Sequence, residues 1–91
     1  VYIGVIGMLK DMEKWANRLE VFEKPSTIYD LHKKAGLSYL GSKKVVQRLE
    51  VERLIRMART EPFKATRKRF YVLTEPGVSA LENLRKVLKN E

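Results

Sequence analysis

Gly36 lies between two short segments of the chain that each carry apolar residues at helical spacing. The spacing i, i+3 and i+7 brings residues to one face of a helix. In the first segment it is occupied by Ile28, Leu31 and Ala35. Gly36 favours the left-handed backbone conformation in which many helices end. The pattern therefore predicts a helix over about 27–35, with its N-cap at Ser26 or Thr27.

The second segment is predicted to be a helix that starts after an N-cap at Ser38 and continues to about Glu52. Its apolar side is formed by Val45, Val46 and Leu49. The opposite side is polar and basic, with Lys43 and Gln47 flanked by Tyr39 and Lys44. Two short helices joined by a Gly-containing turn, the second of them basic on its outer face, form a helix-turn-helix.

A long helix is predicted before this pair, from about Tyr2 to Phe22. Its apolar residues follow one another at spacings of three and four. They are Val5, Met8, Met12, Trp15, Leu19 and Phe22. Because Ile6, Leu9 and Ala16 widen this face, the rest of a small domain cannot cover it fully. We expect part of it to pack against a second subunit; the alternative is that it covers only its own core.

Two strands and a closing helix are predicted after the pair. The segment 54–59 alternates apolar and basic residues, as a half-buried strand does, and Met57 is expected in the core. The polar segment 61–68 is predicted to be a hairpin loop, and 69–73 the returning strand. Thr74 caps the last helix. The apolar face of that helix consists of Val78, Leu81, Leu84 and Leu88, with Val87 alongside.

The net charge of +8 is confined to the middle of the chain. Residues 1–24 and 75–91 are each balanced, whereas 25–60 carry a net +5 and 61–74 a net +3. A localised excess of cations is typical of a surface that binds a polyanion. The alternative is a generally basic surface that only keeps the protein in solution.

The composition excludes several classes of protein. The length of 91 residues suits one domain, residues 1–91, with one modest core. There is no Cys, so disulfides and thiolate metal sites are excluded, and His32 is the only histidine. We expect His32 to be structural or exposed and no metal to be bound. The sequence has no Gly-rich phosphate loop and no catalytic His–acid–Ser set, so neither an enzyme nor a cofactor is expected.

The same composition bears on location. No apolar stretch is long enough to cross a bilayer. The apolar N-terminal residues are followed within two turns by Lys10, Asp11 and Glu13, unlike a secretory signal. A cytoplasmic protein without a membrane partner is therefore expected.

Three strings of residues closely resemble winged helix-turn-helix proteins. Residues 35–38 (AGLS) resemble the turn before a recognition helix, and 46–55 (VQRLEVERLI) its end and the first wing strand. Residues 70–77 (FYVLTEPG) resemble the second wing strand and the start of the closing helix. With an extra helix on each side, the chain is similar to PadR-like and MarR-like regulators. It departs from them at Arg53, where Gly is usual, and at Ser42, where an apolar residue is usual.

The resemblance implies a mainly α fold with a small β-hairpin wing, in the order α-α-α-β-β-α. Its parts would be an N-terminal helix at 1–23, the helix-turn-helix at 26–53, the wing at 54–74 and a C-terminal helix at 75–91. The two terminal helices would form a homodimer. The residues expected at that interface are Met8, Met12, Trp15, Leu19, Leu84 and Leu88.

The function implied is that of a sequence-specific transcriptional regulator that binds double-stranded DNA. Helix 38–52 would read the major groove, and wing residues 61–69 would contact the backbone or the minor groove. The residues expected to contact DNA are Lys33, Lys34, Ser38, Tyr39, Ser42, Lys43, Lys44, Gln47, Lys64, Arg67, Lys68 and Arg69. Leu40 also falls on the outer face, where it would touch thymine methyls or a neighbouring protein, unless the helix begins elsewhere.

Two other functions stay open at this point. The first is a DNA site marker or architectural protein associated with a nucleoid or plasmid. An example is a centromere-binding adaptor in plasmid partition, which spreads on DNA and recruits partner proteins. The second is a winged helix used only for protein assembly, which the concentration of charge in residues 25–74 disfavours.

Overall fold

The chain folds in the predicted order α-α-α-β-β-α. The computed structural model describes residues 2–89, and the side chains of residues 10–89. Its elements are α1 (Tyr2–Val21), α2 (Ile28–Ala35), α3 (Tyr39–Val51), β1 (Ile55–Phe63), β2 (Thr66–Leu73) and α4 (Glu75–Lys89). The two strands form one antiparallel hairpin, which we call the wing (55–73). The fold class predicted from the sequence is confirmed.

Local hydrogen bonds fix both ends of the helix-turn-helix. Thr27 is the N-cap of α2, and it exchanges side-chain and backbone hydrogen bonds with Asp30 in a capping box. Gly36 ends α2 in the left-handed conformation, with φ of 69°. Ser38 caps α3 by accepting a hydrogen bond from the backbone N–H of Gly41. These caps place the two helices as predicted.

The core lies where α1, the helix-turn-helix and the wing meet. Phe22, Leu31 and Leu49 are completely buried in it. Leu19 is also buried, with 2% exposure, so its predicted place in a subunit interface is wrong. Its side chain already belongs to the core of its own chain. Met12 and Trp15 are half-buried, and the side chain of Met8 lies outside the described residues.

The wing is longer than predicted and its loop is shorter. The expected loop at 61–68 is wrong, because the strands pair as far as Phe63 and Thr66 and leave only Lys64 and Ala65 in the turn. A solvent-exposed antiparallel hairpin needs no apolar alternation, so the polar residues gave no sign that both strands extend into this segment. Met57 was expected in the core, but its side chain is 50% exposed next to a bulge in β1.

The closing helix packs against α1 and against the start of the wing. Thr74 caps α4 through a hydrogen bond from the N–H of Gly77. Leu81 is buried, and Leu84 and Leu88 are partly buried against the core. Val78 and Val87, predicted on the apolar face, are each 44% exposed. They lie at the edges of that face, where no other element of the described chain covers them fully.

An ion-pair cluster joins α4 to α1. The Arg85 guanidinium contacts Glu23 Oε1 at 2.8 Å and Glu20 Oε2 at 3.2 Å. Among the residues that the structure describes, none of the four helices combines the length and the apolar character needed to span a bilayer.

Candidate nucleic-acid interface

One side of α3 faces the core, and Ser42 belongs to that side. Its side chain is completely buried, and its hydroxyl donates a hydrogen bond to the Ser38 carbonyl at 3.0 Å. The prediction that Ser42 contacts DNA is therefore wrong. Because this bond satisfies the hydroxyl, Ser42 can occupy the inward position usually held by an apolar residue.

The burial of Ser42, Val46 and Leu49 defines which residues of α3 face outward. At about 100° per residue, the row opposite these three consists of Leu40, Lys44, Gln47 and Val51. All four are exposed, and we call them the outer row. Lys43 was expected at the centre of this face but lies on its flank. Since α3 begins at Tyr39 as predicted, the position of Leu40 on the outer face does not result from a misplaced helix start.

The flank of α3 that carries Tyr39, Lys43 and Glu50 borders the wing. Tyr39 lines one cleft together with Arg67, Lys68 and Arg69 of β2. Glu50 lines a second cleft, again with Arg67 and Arg69. The wing arginines therefore lie beside both the first and the last turn of α3. Lys43, also exposed, falls between these turns on the same flank.

Aromatic rings support several of the wing cations. The Lys64 and Lys68 ammonium groups lie over the Phe63 ring, 5.5 and 5.0 Å from its centroid. Arg67 Nε donates a hydrogen bond to Thr60 Oγ1 at 3.1 Å. These contacts limit the positions of the side chains while leaving them exposed. They hold positive charge at the tip and on the returning strand of the wing.

The surface consequently combines three features around the flank of α3 that borders the wing. They are a regular helix with exposed polar and basic residues, a charged hairpin beside it, and open clefts between the two. This arrangement can hold an elongated anionic partner by ion pairs and hydrogen bonds. No cluster of three or more possible His, Asp or Glu metal ligands occurs within the described part of the chain.

Solved structures share this fold. A PadR-like transcriptional regulator from Bacillus cereus superposes with a TM-score of 0.69 at 18% identity, over 89% of this chain and 84% of that one. A PadR-like transcription factor from Bacteroides fragilis gives 0.69 at 25% identity, over 92% and 86%. No family model matches the chain, and no curated protein sequence does. The chain has the winged helix-turn-helix fold. Its predicted resemblance to PadR-like and MarR-like regulators is thereby confirmed.

Another similar structure is that of Lactococcus lactis ZitR in complex with DNA. Its TM-score with this winged helix-turn-helix protein is 0.63 at 20% identity, over 82% of this chain and 50% of ZitR. The two PadR-like structures are those of a transcriptional regulator and a transcription factor, which supports the prediction that the chain is not an enzyme.

Lys33 and Lys34 both lie at the end of α2, but their surroundings differ. The Lys33 ammonium lies 5.6 Å from the centroid of the Tyr29 ring, and Tyr29 lines the same cleft as Tyr39 and Arg67. Lys34 instead lines a separate cleft against α1 that includes Glu20 and Glu23. Of the two, Lys33 is therefore the one that the fold brings towards the wing side.

His32 holds the turn between α2 and α3. Its Nδ1 is hydrogen-bonded to the Leu37 carbonyl. Its ring lies 5.8 Å from the ring of Tyr29 and 6.4 Å from that of Tyr39, between centroids. This agrees with a structural role for His32. The sequence reasoning did not single out Tyr29, although its position one turn before Lys33 on the exposed side of α2 was a usable signal.

Proposed function

We propose that the protein is a dimeric transcriptional regulator that binds double-stranded DNA. The observation that carries this proposal is that the wing cations share two clefts with the flank of α3, next to an outer row whose side chains are all exposed. The net charge is concentrated in these elements. A duplex offers a regular double row of phosphates to such a surface, and phosphate neutralisation supplies much of the affinity of DNA-binding proteins.

In this function α3 enters the major groove. The groove is wide enough for a helix, and its base edges are accessible to side chains on the outer face. Gln47 is suited to a bidentate pair with adenine, and Lys44 to a guanine edge or a phosphate. Ser38, Tyr39 and Lys43 lie nearer the groove wall, where backbone contacts position the helix.

The wing grips the backbone beside the groove. Lys64, Arg67, Lys68 and Arg69 are exposed along the turn and the returning strand, so they can reach phosphates or enter the minor groove. Lys33 contacts the backbone from the end of α2, whereas Lys34, near the carboxylates of α1, contributes less. ZitR, a protein of similar fold, forms a complex with DNA, which supports DNA binding by this chain.

The dimer uses the apolar surface between α1 and α4. A groove there is lined by Met12, Trp15, Leu54, Ala80 and Leu84, and Leu88 is also incompletely buried. Burying such a surface in a second subunit would contribute about 25 cal/mol per Å² of apolar area, against which the entropic cost of association is set. A two-fold dimer would then place two copies of α3 against half-sites about one helical turn apart.

Selection of bound duplexes from a random pool, followed by footprinting, tests this function. We expect a pseudo-palindromic site with one protected region. Protection that spreads beyond the selected site would instead favour the site-marking protein that recruits partners on DNA. No shift of any duplex at low salt would overturn the proposal and leave protein assembly as the function. Analytical ultracentrifugation of the free protein and of its DNA complex tests whether it forms a dimer. A protein that stays monomeric at all concentrations and when bound to DNA would disprove the dimer.

A further inference from the structure

Leu40 is an exposed apolar side chain in the first full turn of α3. Its side chain is 63% exposed, although it lies in the outer row among Lys44 and Gln47. Neither cleft beside the wing includes it. When the outer row meets a ligand, the Leu40 side chain is therefore among those that lose their contact with water.

An apolar group that is dehydrated on binding gains free energy only when an apolar partner receives it. In the major groove, the apolar group that base edges offer is the C5 methyl of thymine; the other groups are hydrogen-bond donors and acceptors. We propose that Leu40 contacts a thymine methyl and is thereby a specificity-determining residue of this protein. The inference rests on the proposed function, since it assumes that α3 enters the groove.

Val51 provides an internal comparison for this proposal. It belongs to the same outer row and is 81% exposed, but it follows Leu40 by eleven residues, about 16 Å along the helix axis. Helix-turn-helix proteins contact base edges with the N-terminal residues of the recognition helix. Leu40 therefore reaches the bases, whereas Val51 lies where the helix has left the groove floor.

The outer row also predicts where the thymine lies. Seven residues separate Leu40 from Gln47, about 10 Å along the helix axis. With about 3.4 Å between successive nucleotides of a strand, the two contacts are about two to four base pairs apart. A thymine read by Leu40 is thus expected at that distance from the position at which Gln47 sets the base preference.

The experiment replaces each thymine of the selected duplex by deoxyuridine, one position at a time. Deoxyuridine keeps the hydrogen-bonding groups of thymine and lacks only the methyl. Removing one methyl contact weakens binding about fourfold per half-site, and about fifteenfold when both half-sites of a dimer are changed. Leu40→Ala should bind the thymine and uracil duplexes equally, while Val51→Ala, the matched control, should keep the discrimination of the unaltered protein.

Each result decides the inference. Equal binding of thymine and uracil duplexes by the unaltered protein at every position would overturn it, and so would methyl discrimination that survives in Leu40→Ala. Either outcome leaves the DNA-binding function intact, because both are measured on duplexes that the protein binds. Failure to bind any duplex would remove the proposed function as well. Leu40→Ala should in addition bind the uracil duplex about as tightly as the unaltered protein does, which a folding defect cannot imitate.

Discussion

Gly77 lies directly against the backbone of Leu54. A Cβ at Gly77 would stand 2.0 Å from the Leu54 carbonyl oxygen and 3.1 Å from Leu73 Cδ2. The same carbonyl accepts a hydrogen bond from the N–H of Thr74 at 3.0 Å. The first turn of α4 therefore packs directly against the residue that precedes β1, and only a residue without a side chain fits at position 77.

Gly77→Ala should consequently lower the free energy of unfolding, because backbone cannot move aside as a flexible side chain can. Overpacking of this kind costs about 1–3 kcal/mol. Urea unfolding monitored by circular dichroism measures the change. Ser79→Ala is the control, since Ser79 is exposed on the same helix and should change stability by only a few tenths of a kcal/mol. A Gly77→Ala protein as stable as the control would contradict the close approach.

Gly36 and Arg53 both have left-handed backbone, with φ of 69° and 60°. Nothing lies within 4 Å of a Cβ built at Gly36, so Gly36→Ala should cost about 1 kcal/mol through backbone strain alone. Arg53→Gly should be neutral or slightly stabilising, because relief of that strain offsets about 0.4–1 kcal/mol of added chain entropy. Thermal unfolding measures both changes: the melting temperature should fall for Gly36→Ala and should stay the same or rise for Arg53→Gly. A marked loss of stability in Arg53→Gly would disprove strain at that position.

The left-handed backbone at Arg53 explains why the families that the chain resembles usually have Gly at this position: the chain must turn sharply between α3 and β1. A hydrogen bond from Thr74 Oγ1 to the Arg53 carbonyl, at 2.6 Å, helps to stabilise this turn. Propensity and capping signals were enough to place the helix-turn-helix and its ends, because they act within a few residues.

The errors at Leu19 and in the wing arose where partners distant in sequence decide, whereas the error at Ser42 did not. Leu19 was assigned to a subunit interface because its stripe looked continuous, yet the core of the chain itself covers it. Ser42 was assigned to the surface because its side chain is polar. Its spacing of four to Val46 and seven to Leu49 matched the buried side. The outer parts of the wing strands were missed because a two-stranded exposed ribbon is paired by backbone, with cross-strand neighbours such as Glu61 and Lys68, rather than marked by an apolar face.

The contact between Arg85 and Glu23 predicts a modest dependence of stability on acid pH. The hydrogen bond from the Arg85 guanidinium lowers the pKa of Glu23 below its ordinary value. The contact therefore stabilises the fold fully above the unfolded-state pKa, about 4.3, and is lost as the pH falls through the folded-state pKa. The effect is small because both side chains are nearly half exposed.

Glu23→Gln should accordingly give a melting temperature that falls less between pH 6 and pH 3 than that of the unaltered protein. Added salt should reduce the difference between the two proteins, since exposed ion pairs are screened. Scanning calorimetry across this range provides the measurement, with Glu13→Gln as the control for loss of an exposed carboxylate on α1. Parallel curves for Glu23→Gln and the unaltered protein would show that the contact does not contribute in solution.

Because the wing is proposed to contact phosphates and α3 to contact bases, substitutions in the two elements should change the salt dependence of DNA affinity differently. If a dimer makes about eight phosphate contacts, log affinity should fall with log salt at a slope of about −7. Arg67→Ala with Lys68→Ala removes two cations per subunit from the wing, so all duplexes should be weakened alike and the slope should become shallower by about 3 to 4. Lys24→Ala with Lys86→Ala removes the same charge away from the interface and should leave the slope nearly unchanged.

Gln47→Ala should behave in the opposite way to the wing variant. It removes no charge, so the salt slope should stay near −7, while the preference for adenine at one position of each half-site should fall by about 1–3 kcal/mol. Fluorescence anisotropy titrations of specific and scrambled duplexes at several salt concentrations separate the two effects. A wing variant that lost sequence preference, or a Gln47→Ala protein that lost only salt dependence, would reverse the roles assigned to the two elements.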